Sequence, residues 1–154
     1  MTLLGPLFER EWIYAARAGS TTQYSFGDSE AQLGDYAWCA KNSSNKPQRT
    51  AQKLSNAFGL FDIHGNVWDQ VEDCWHGNYS GAPTDGSDWI TGCTGANRGH
   101  RGGSWGNGPW DLRSAISYGD YPVVRYSTIG FRVARLFNYL LHFYCFTPLG
   151  VWGR

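Results

Sequence analysis

Phe8, Trp12 and the Ala15/Ala16 pair fall at helical spacing, behind Pro6, which suits a first turn, and ahead of Gly19, which suits a stop. The spacing predicts one amphipathic helix over Leu7–Ala18, its aromatic stripe facing a core. Near the other end Ile129, Phe131 and Val133 alternate with small or polar residues, the period of a half-buried strand. Between these elements the chain is weakly periodic. Tyr24-Ser-Phe26 and Tyr36-Ala-Trp38 are short apolar patches among turn residues. Lys41–Lys53 reads as a solvated loop and residues 77–100 as a long surface loop. Glycines in Arg101-Gly-Gly-Ser-Trp105 permit a tight backbone path. From Gly106 to Thr128 neither period is visible. That segment carries Trp, Tyr, Ser, Gly, Asn and Asp, the palette of a recognition surface: broad aromatic contact at low entropic cost, plus small polar groups with adaptable hydrogen bonds.

A chain of 154 residues is one domain with room for a core. Formal net charge is zero and charged residues make up 17%, so nothing steers it toward nucleic acid or an acidic membrane. Aromatics at 16% and twenty glycines suit a loop-rich α+β domain with an aromatic core, and argue against a helical bundle. The start, with no basic region and Glu9 arriving early, does not read as a signal peptide, so the expected location is cytoplasmic. Cys39, Cys74, Cys93 and Cys145 form no CxxC pair, which disfavours zinc. Cys74 and Cys93 could bridge in an oxidising compartment, but free thiols are the expectation for a cytoplasmic chain.

Several residues invite a chemical reading. Asp62 and Asp69, with the carbonyls of Gly65 and Val67, could offer oxygen ligands to a hard cation such as calcium. The plainer alternative is that both acids cap turns. His64, His76 and His100 have no partner nearby in sequence and are expected to be structural, hydrogen-bonded turn histidines. Gly102-Gly-Ser-Trp-Gly106 fits the G-x-S-x-G elbow of a serine hydrolase, but its setting is wrong. Asn97–Arg101 looks too polar for a buried strand, and Asn107-Gly-Pro109 looks unable to open a helix. Ser104 is therefore expected to be a turn serine bonded to nearby groups.

Glu11-Trp-Ile-Tyr-Ala-Ala-Arg17, Asn56-Ala-Phe-Gly-Leu-Phe-Asp-Ile-His-Gly-Asn-Val-Trp68, Arg101-Gly-Gly-Ser-Trp105 and Gly130-Phe-Arg132 resemble, in order, the signatures of the formylglycine-generating-enzyme/sulfatase-modifying-factor domain. The resemblance runs from about Glu9 to Arg135 and implies a C-type-lectin-like fold, here lacking several elements at its start. Enzymes of that family oxidise a cysteine with copper held by two cysteines between the GGS and GFR signatures. This chain has no cysteine between Cys93 and Cys145, and no other residue of Gly106–Thr128 replaces such soft ligands for Cu(I). A related branch that makes sulfur-containing histidine betaines at an iron site needs a further histidine-rich domain. The family's calcium site maps onto Asp62, Gly65, Val67 and Asp69, though its last ligand is normally Glu and Gln70 replaces a usual Trp. The second calcium site has no counterpart in Asn42–Lys53. No cofactor is expected, with calcium kept as a candidate.

A third branch is more similar: the variable proteins of diversity-generating retroelements, in which a GGS-to-GFR frame surrounds scattered variable positions. There, randomised template adenines turn asparagine codons into pyrimidine-ending codons, which cannot encode Lys, Glu, Gln, Met or Trp. Between Gly106 and Thr128 there is no Lys, Glu, Gln or Met, and the sole Trp is Trp110. The candidate diversified positions are Gly106, Asn107, Gly108, Asp111, Ile116, Ser117, Tyr118, Gly119, Asp120, Tyr121, Val123, Val124, Tyr126, Ser127 and Thr128. Pro109, Trp110, Leu112-Arg-Ser-Ala115, Pro122 and Arg125 then read as frame.

The expectation is a C-type-lectin-like domain over residues 1–135, with residues 101–135 as its framed variable region. Its function would be to bind a ligand, expected to be a protein, and not to catalyse. The alternatives are a formylglycine-generating or sulfur-oxidising enzyme, and a structural module without a ligand. Residues 136–154 form an apolar and aromatic tail whose longest apolar stretch, Leu136–Phe146, is too short to span a bilayer. It is expected to pack on the domain or to join subunits.

Overall fold

The computed structural model describes residues 4–85, 87–137 and 140–146. Its one long helix, α1 (Glu9–Arg17), is the predicted one, slightly shortened at both ends. Asp73 Oδ2 accepts the Glu9 N–H at 2.6 Å and Glu11 Oε2 accepts the Phe8 N–H at 3.0 Å, so two carboxylates close the helix start, where free N–H groups gather. Ala18 leaves the helix in the left-handed region, and its N–H donates to the Tyr14 carbonyl.

One six-stranded sheet carries the rest, in the order β1-β5-β2-β3-β4, with β6 also on β5. The strands are β1 (Leu4–Pro6), β2 (Trp68–Cys74), β3 (Arg98–Arg101), β4 (Ser117–Asp120), β5 (Ile129–Phe137) and β6 (Leu140–Phe146). All pairings are antiparallel except β2 with β5, which is parallel, so the sheet is mixed where short antiparallel strands were expected. β5 continues through Phe137, past the boundary placed after Arg135, and β6 runs along it from Phe146 opposite Phe131 to Leu140 opposite Phe137. The tail therefore joins the sheet as far as Phe146; its remaining residues, 147–154, lie outside the described ones.

Three sequence expectations fail for one physical reason: long-range partners. Asn97–Arg101 contains a strand after all, and His100 and Arg101 on it are buried. Gly99 makes this possible, since a Cβ there would lie 2.9 Å from Val71 Cγ2. Arg101 is buried against Glu9 and Tyr79. Pro109 does open a short helical turn, a 3-10 piece over Pro109–Leu112. The Lys41–Lys53 loop is pinned rather than free: buried Ser43 donates to the Trp105 carbonyl at 3.0 Å, and the Gln48 N–H donates to Asn66 Oδ1 at 2.9 Å.

Two apolar clusters hold the frame. Leu7, Trp12, Ala16, Ile63 and Val71 join α1 to the inner sheet face. Tyr24, Leu33, Ala37, Cys39 and Leu112 form the second, under the segment from Pro109 to Leu112. Fully burying one such side chain contributes on the order of 1.5–3 kcal/mol.

Candidate functional site

The strand registers sort side chains to two faces. Phe131, Gln70, His100 and Tyr118 lie side by side in one row, and Ile129 pairs with Trp68 two residues back on the same face. Asp69, Arg101 and Arg132 point to the opposite, inner face and are buried.

The inner face holds the two acids considered for a cation. Asp69 Oδ2 accepts the Trp12 Nε1–H at 2.9 Å and pairs with Arg132 Nε at 2.6 Å. Arg132 Nη2 also donates to the Phe61 and Asp62 carbonyls, at 2.9 and 2.7 Å. Asp62 Oδ2 accepts the Ala51 N–H at 2.8 Å, and Gly65 donates its N–H to Gly102. Arg132 thus pairs with Asp69, while Oδ1 of both Asp62 and Asp69 is buried without a hydrogen-bond partner among the described residues, where no group of three acidic, His or Cys side chains converges. Calcium at Asp62, Gly65, Val67 and Asp69 stays a proposal. No copper donor set exists between Gly106 and Thr128: Cys39 is buried in the core, and Cys74 and Cys93 are disulfide-bonded, contrary to the free thiols expected. Their sulfurs meet to close the loop of residues 75–92, which their sequence positions alone could not show.

Two histidines behave as expected and one does not. His64 is buried, with Nδ1 donating to the Leu112 carbonyl at 2.8 Å and Nε2 accepting the Ser25 N–H at 3.0 Å. His76 bonds the Cys74 and Thr91 carbonyls and stacks on Trp89. His100 sits on β3 instead of a turn, and its buried Nε2 has no hydrogen-bond partner among the described residues. Ser104 is the expected turn serine, held to Asn107 Oδ1 at 2.5 Å and accepting the Gly106 N–H.

Tyr118 and Asp120 are the β4 candidate positions on the outer face, while Ser117 and Gly119 take the register of the inner-facing Arg101 and Gly99. The remaining candidates lie in the segments before and after β4. None of the candidate positions is buried, while Leu112 and Ser114 between them are. Ser117–Asp120 forms edge strand β4, a regularity the segment did not announce. Tyr121–Thr128 then loops back over the sheet and is fastened where Trp105 Nε1 donates to the Ser127 carbonyl at 3.1 Å. This loop makes two hollows. One, of about 340 Å³, lies over Trp68 and His100, walled by Tyr118, Asp120 and Tyr126. The other, of about 720 Å³, lies over Gln70 and Phe131, walled by Pro122, Val124 and Tyr126. Tyr126 and Ile129 line both. Trp68, Gln70, His100 and Phe131 fall outside the Gly106–Thr128 window. Only the register shows that they share its face.

The positions are not equal. Gly106 and Gly108 face open space, apart from Ser104 Oγ at 3.9 Å from a Gly106 Cβ. At Gly119 a Cβ would lie 2.4 Å from Trp75 Cγ. Gly119 therefore belongs to the frame. Gly106→Tyr and Gly108→Tyr are expected to stay within about 0.5 kcal/mol of the parent in urea unfolding. Gly119→Val is expected to lose about 1–3 kcal/mol by overpacking. Equal tolerance at all three would refute this division.

The sequence profile of the Sulfatase-modifying factor enzyme 1-like domain family matches residues 7–137. The chain belongs to that family. The formylglycine-generating enzyme of Mycobacterium tuberculosis (strain ATCC 25618 / H37Rv) is 36% identical over 73 residues, covering 40% of this chain and 24% of that protein. Among solved structures, Treponema denticola variable protein 1 superposes with a TM-score of 0.70 at 31% identity, over 84% of this chain and 46% of that one. PvdO from Pseudomonas aeruginosa superposes with a TM-score of 0.77 at 38% identity, over 86% of this chain and 52% of that one. The chain thus spans about half of each of these structures, and about a quarter of the enzyme. The fold is α+β and C-type-lectin-like, as the family's motifs implied. Among the described residues no helix is long and apolar enough to cross a membrane.

Proposed function

We propose that this member of the family is a ligand-binding variable protein without enzymatic activity, and that its outer sheet face is diversified by a retroelement to bind protein ligands. The carrying observation is that every candidate position lies clear of the core. None of the candidate diversified positions is buried, whereas Leu112 and Ser114, read as frame in the same segment, are core; the other six frame positions, Trp110 among them, are not buried. A diversified segment has to be decoupled from the core, because large-to-small core changes cost about 2–5 kcal/mol whereas surface changes stay near 0.5. The likeness to a protein titled a variable protein supports the reading. The absence of thiols from Gly106–Thr128 speaks against the copper enzyme as the alternative.

Two corollaries follow. A Cys74–Cys93 disulfide persists where thiols are not kept reduced, which supports an oxidising compartment over the cytoplasm. The balanced charge leaves nucleic acid without an electrostatic footprint.

Deep sequencing of the segment coding for Gly106–Thr128, across cells of one source population, tests the proposal. Substitutions should concentrate at the candidate positions other than Gly119, with Leu112, Ser114 and both flanking signatures unchanged. A segment as uniform as its flanks would overturn it.

A further inference from the structure

We propose that the hollow over Trp68 and His100 is an aromatic cage for one cationic side chain, arginine or lysine, of the ligand. This deepens the ligand-binding reading above and rests on it. The aromatic walls come first. Trp68 and Tyr118 meet edge to face, with ring centroids 5.3 Å apart and planes at 71°, and Tyr126 stands on the rim. Rings set at an angle offer a cation their negative faces from more than one side. Such cages hold an arginine or ammonium head most firmly when water is excluded.

Charge comes second. Asp120 lines the hollow, and Asp111 lies at its edge, accepting the Tyr118 hydroxyl at 3.3 Å. No lysine or arginine is among the lining residues. Arg98 is the register partner of Asp120, yet its Nη1 turns to the sulfurs of Cys74 and Cys93, each at 3.4 Å. Asp120 therefore has no ion pair among the described residues.

His100 is the third and independent observation. Its Nε2 is buried and has no hydrogen-bond partner among the described residues, a costly state for a polar atom. Burial pushes its pKa down, with Asp120 opposing, so the ring stays neutral near pH 7 and adds no positive charge to the hollow. In the Nδ1–H tautomer Nε2 is the acceptor nitrogen of the neutral ring, which an N–H of a guanidinium or ammonium group would satisfy.

Trp68 and His100 form a constant floor, whereas Tyr118, Asp120 and Tyr126 are candidate diversified positions. Preference for a cation would then be a property of this sequence variant and not of the fold.

The test is a titration of the whole chain, followed by backbone amide NMR. The probes are Nα-acetyl-arginine N-methylamide, its lysine counterpart and its citrulline counterpart, a neutral shape match for arginine. Saturable shifts are expected at Tyr118, Asp120 and Tyr126 across the millimolar range. Citrulline should bind about fivefold to tenfold more weakly than arginine. Asp120→Asn should weaken the cations by about fivefold while leaving the rest of the spectrum in place. Comparing arginine with lysine tells which head the cage takes. Equal binding of citrulline, an Asp120→Asn variant of unchanged affinity, or no saturable shift at these residues would each overturn the cage. None of those outcomes touches the ligand-binding reading, which stands or falls on the sequencing.

Discussion

Arg132→Met is expected to cost about 3–5 kcal/mol of folding stability, a large share of the 5–15 kcal/mol typical of a single domain. Arg132 is buried and serves three acceptors on the inner face: the Asp69 carboxylate and the Phe61 and Asp62 carbonyls. Methionine keeps much of the volume but none of the donors. Asp69 would then retain only the Trp12 indole N–H recorded here, in a site where burial pushes its carboxyl up and Arg132 had opposed that push. A buried carboxylate that loses its cation is far more costly than a missing surface pair, because the desolvation penalty stays while the attraction disappears. Urea unfolding at pH 7 measures the loss. Adding Asp69→Asn to Arg132→Met should restore part of it, since a neutral amide needs no counter-ion. A single-variant loss below about 1 kcal/mol would mean that this pair is no more than the surface class of ion pair.

This same pair shows what was and was not legible in the chain. The helix was legible because its spacing, start and stop are local. So was β5, from the alternation of Ile129, Phe131 and Val133. The direction of that alternation was not. Phe131 is 46% exposed while Arg132 is buried, because Asp69, 63 residues away, waits on the inner face. β3 was missed for a related reason. Arg98-Gly-His-Arg101 looks like a wet loop until Glu9 and Tyr79 supply partners for Arg101. β4 was hidden because Ser117-Tyr-Gly-Asp120 reads locally as a turn. The proposed recognition face was half legible: its segment could be delimited from composition and from the resemblance, but Trp68, Gln70, His100 and Phe131 beneath it come from other strands, and only register joins them to it. Gly119, counted among the variable positions, is held by its closeness to Trp75, a contact the local sequence does not record.

Lowering the pH from about 6.5 toward 4 should remove about 3 kcal/mol of stability through His64 alone, from a shift of roughly two and a half units at 1.36 kcal/mol each. Burial holds the folded-state pKa of His64 down at about 4, against an ordinary value of 6.5. The hydrogen bonds give that shift a structural meaning. Nε2 accepts the Ser25 N–H, so its lone pair is occupied, and Nδ1 already donates to the Leu112 carbonyl. A second proton at Nε2 would displace the Ser25 N–H and find only the Ser25 Oγ, at 3.0 Å, as its acceptor, in a pocket closed by Tyr24 and Phe26. The unfolded chain meets no such obstacle and takes up the proton first. The stabilisation is therefore fully present above pH 6.5 and is lost as pH falls toward the folded value. His100, also pushed down by burial, adds loss in the same direction. Asp62, pushed up by burial, acts oppositely and gains stability as pH falls through its folded value. Urea midpoints across this range measure the slope, and His64→Gln isolates its source. The variant should be less stable at pH 7, yet lose distinctly less on acidification, keeping the share owed to His100. Parallel slopes in parent and variant would rule out the His64 pocket as the origin of acid sensitivity.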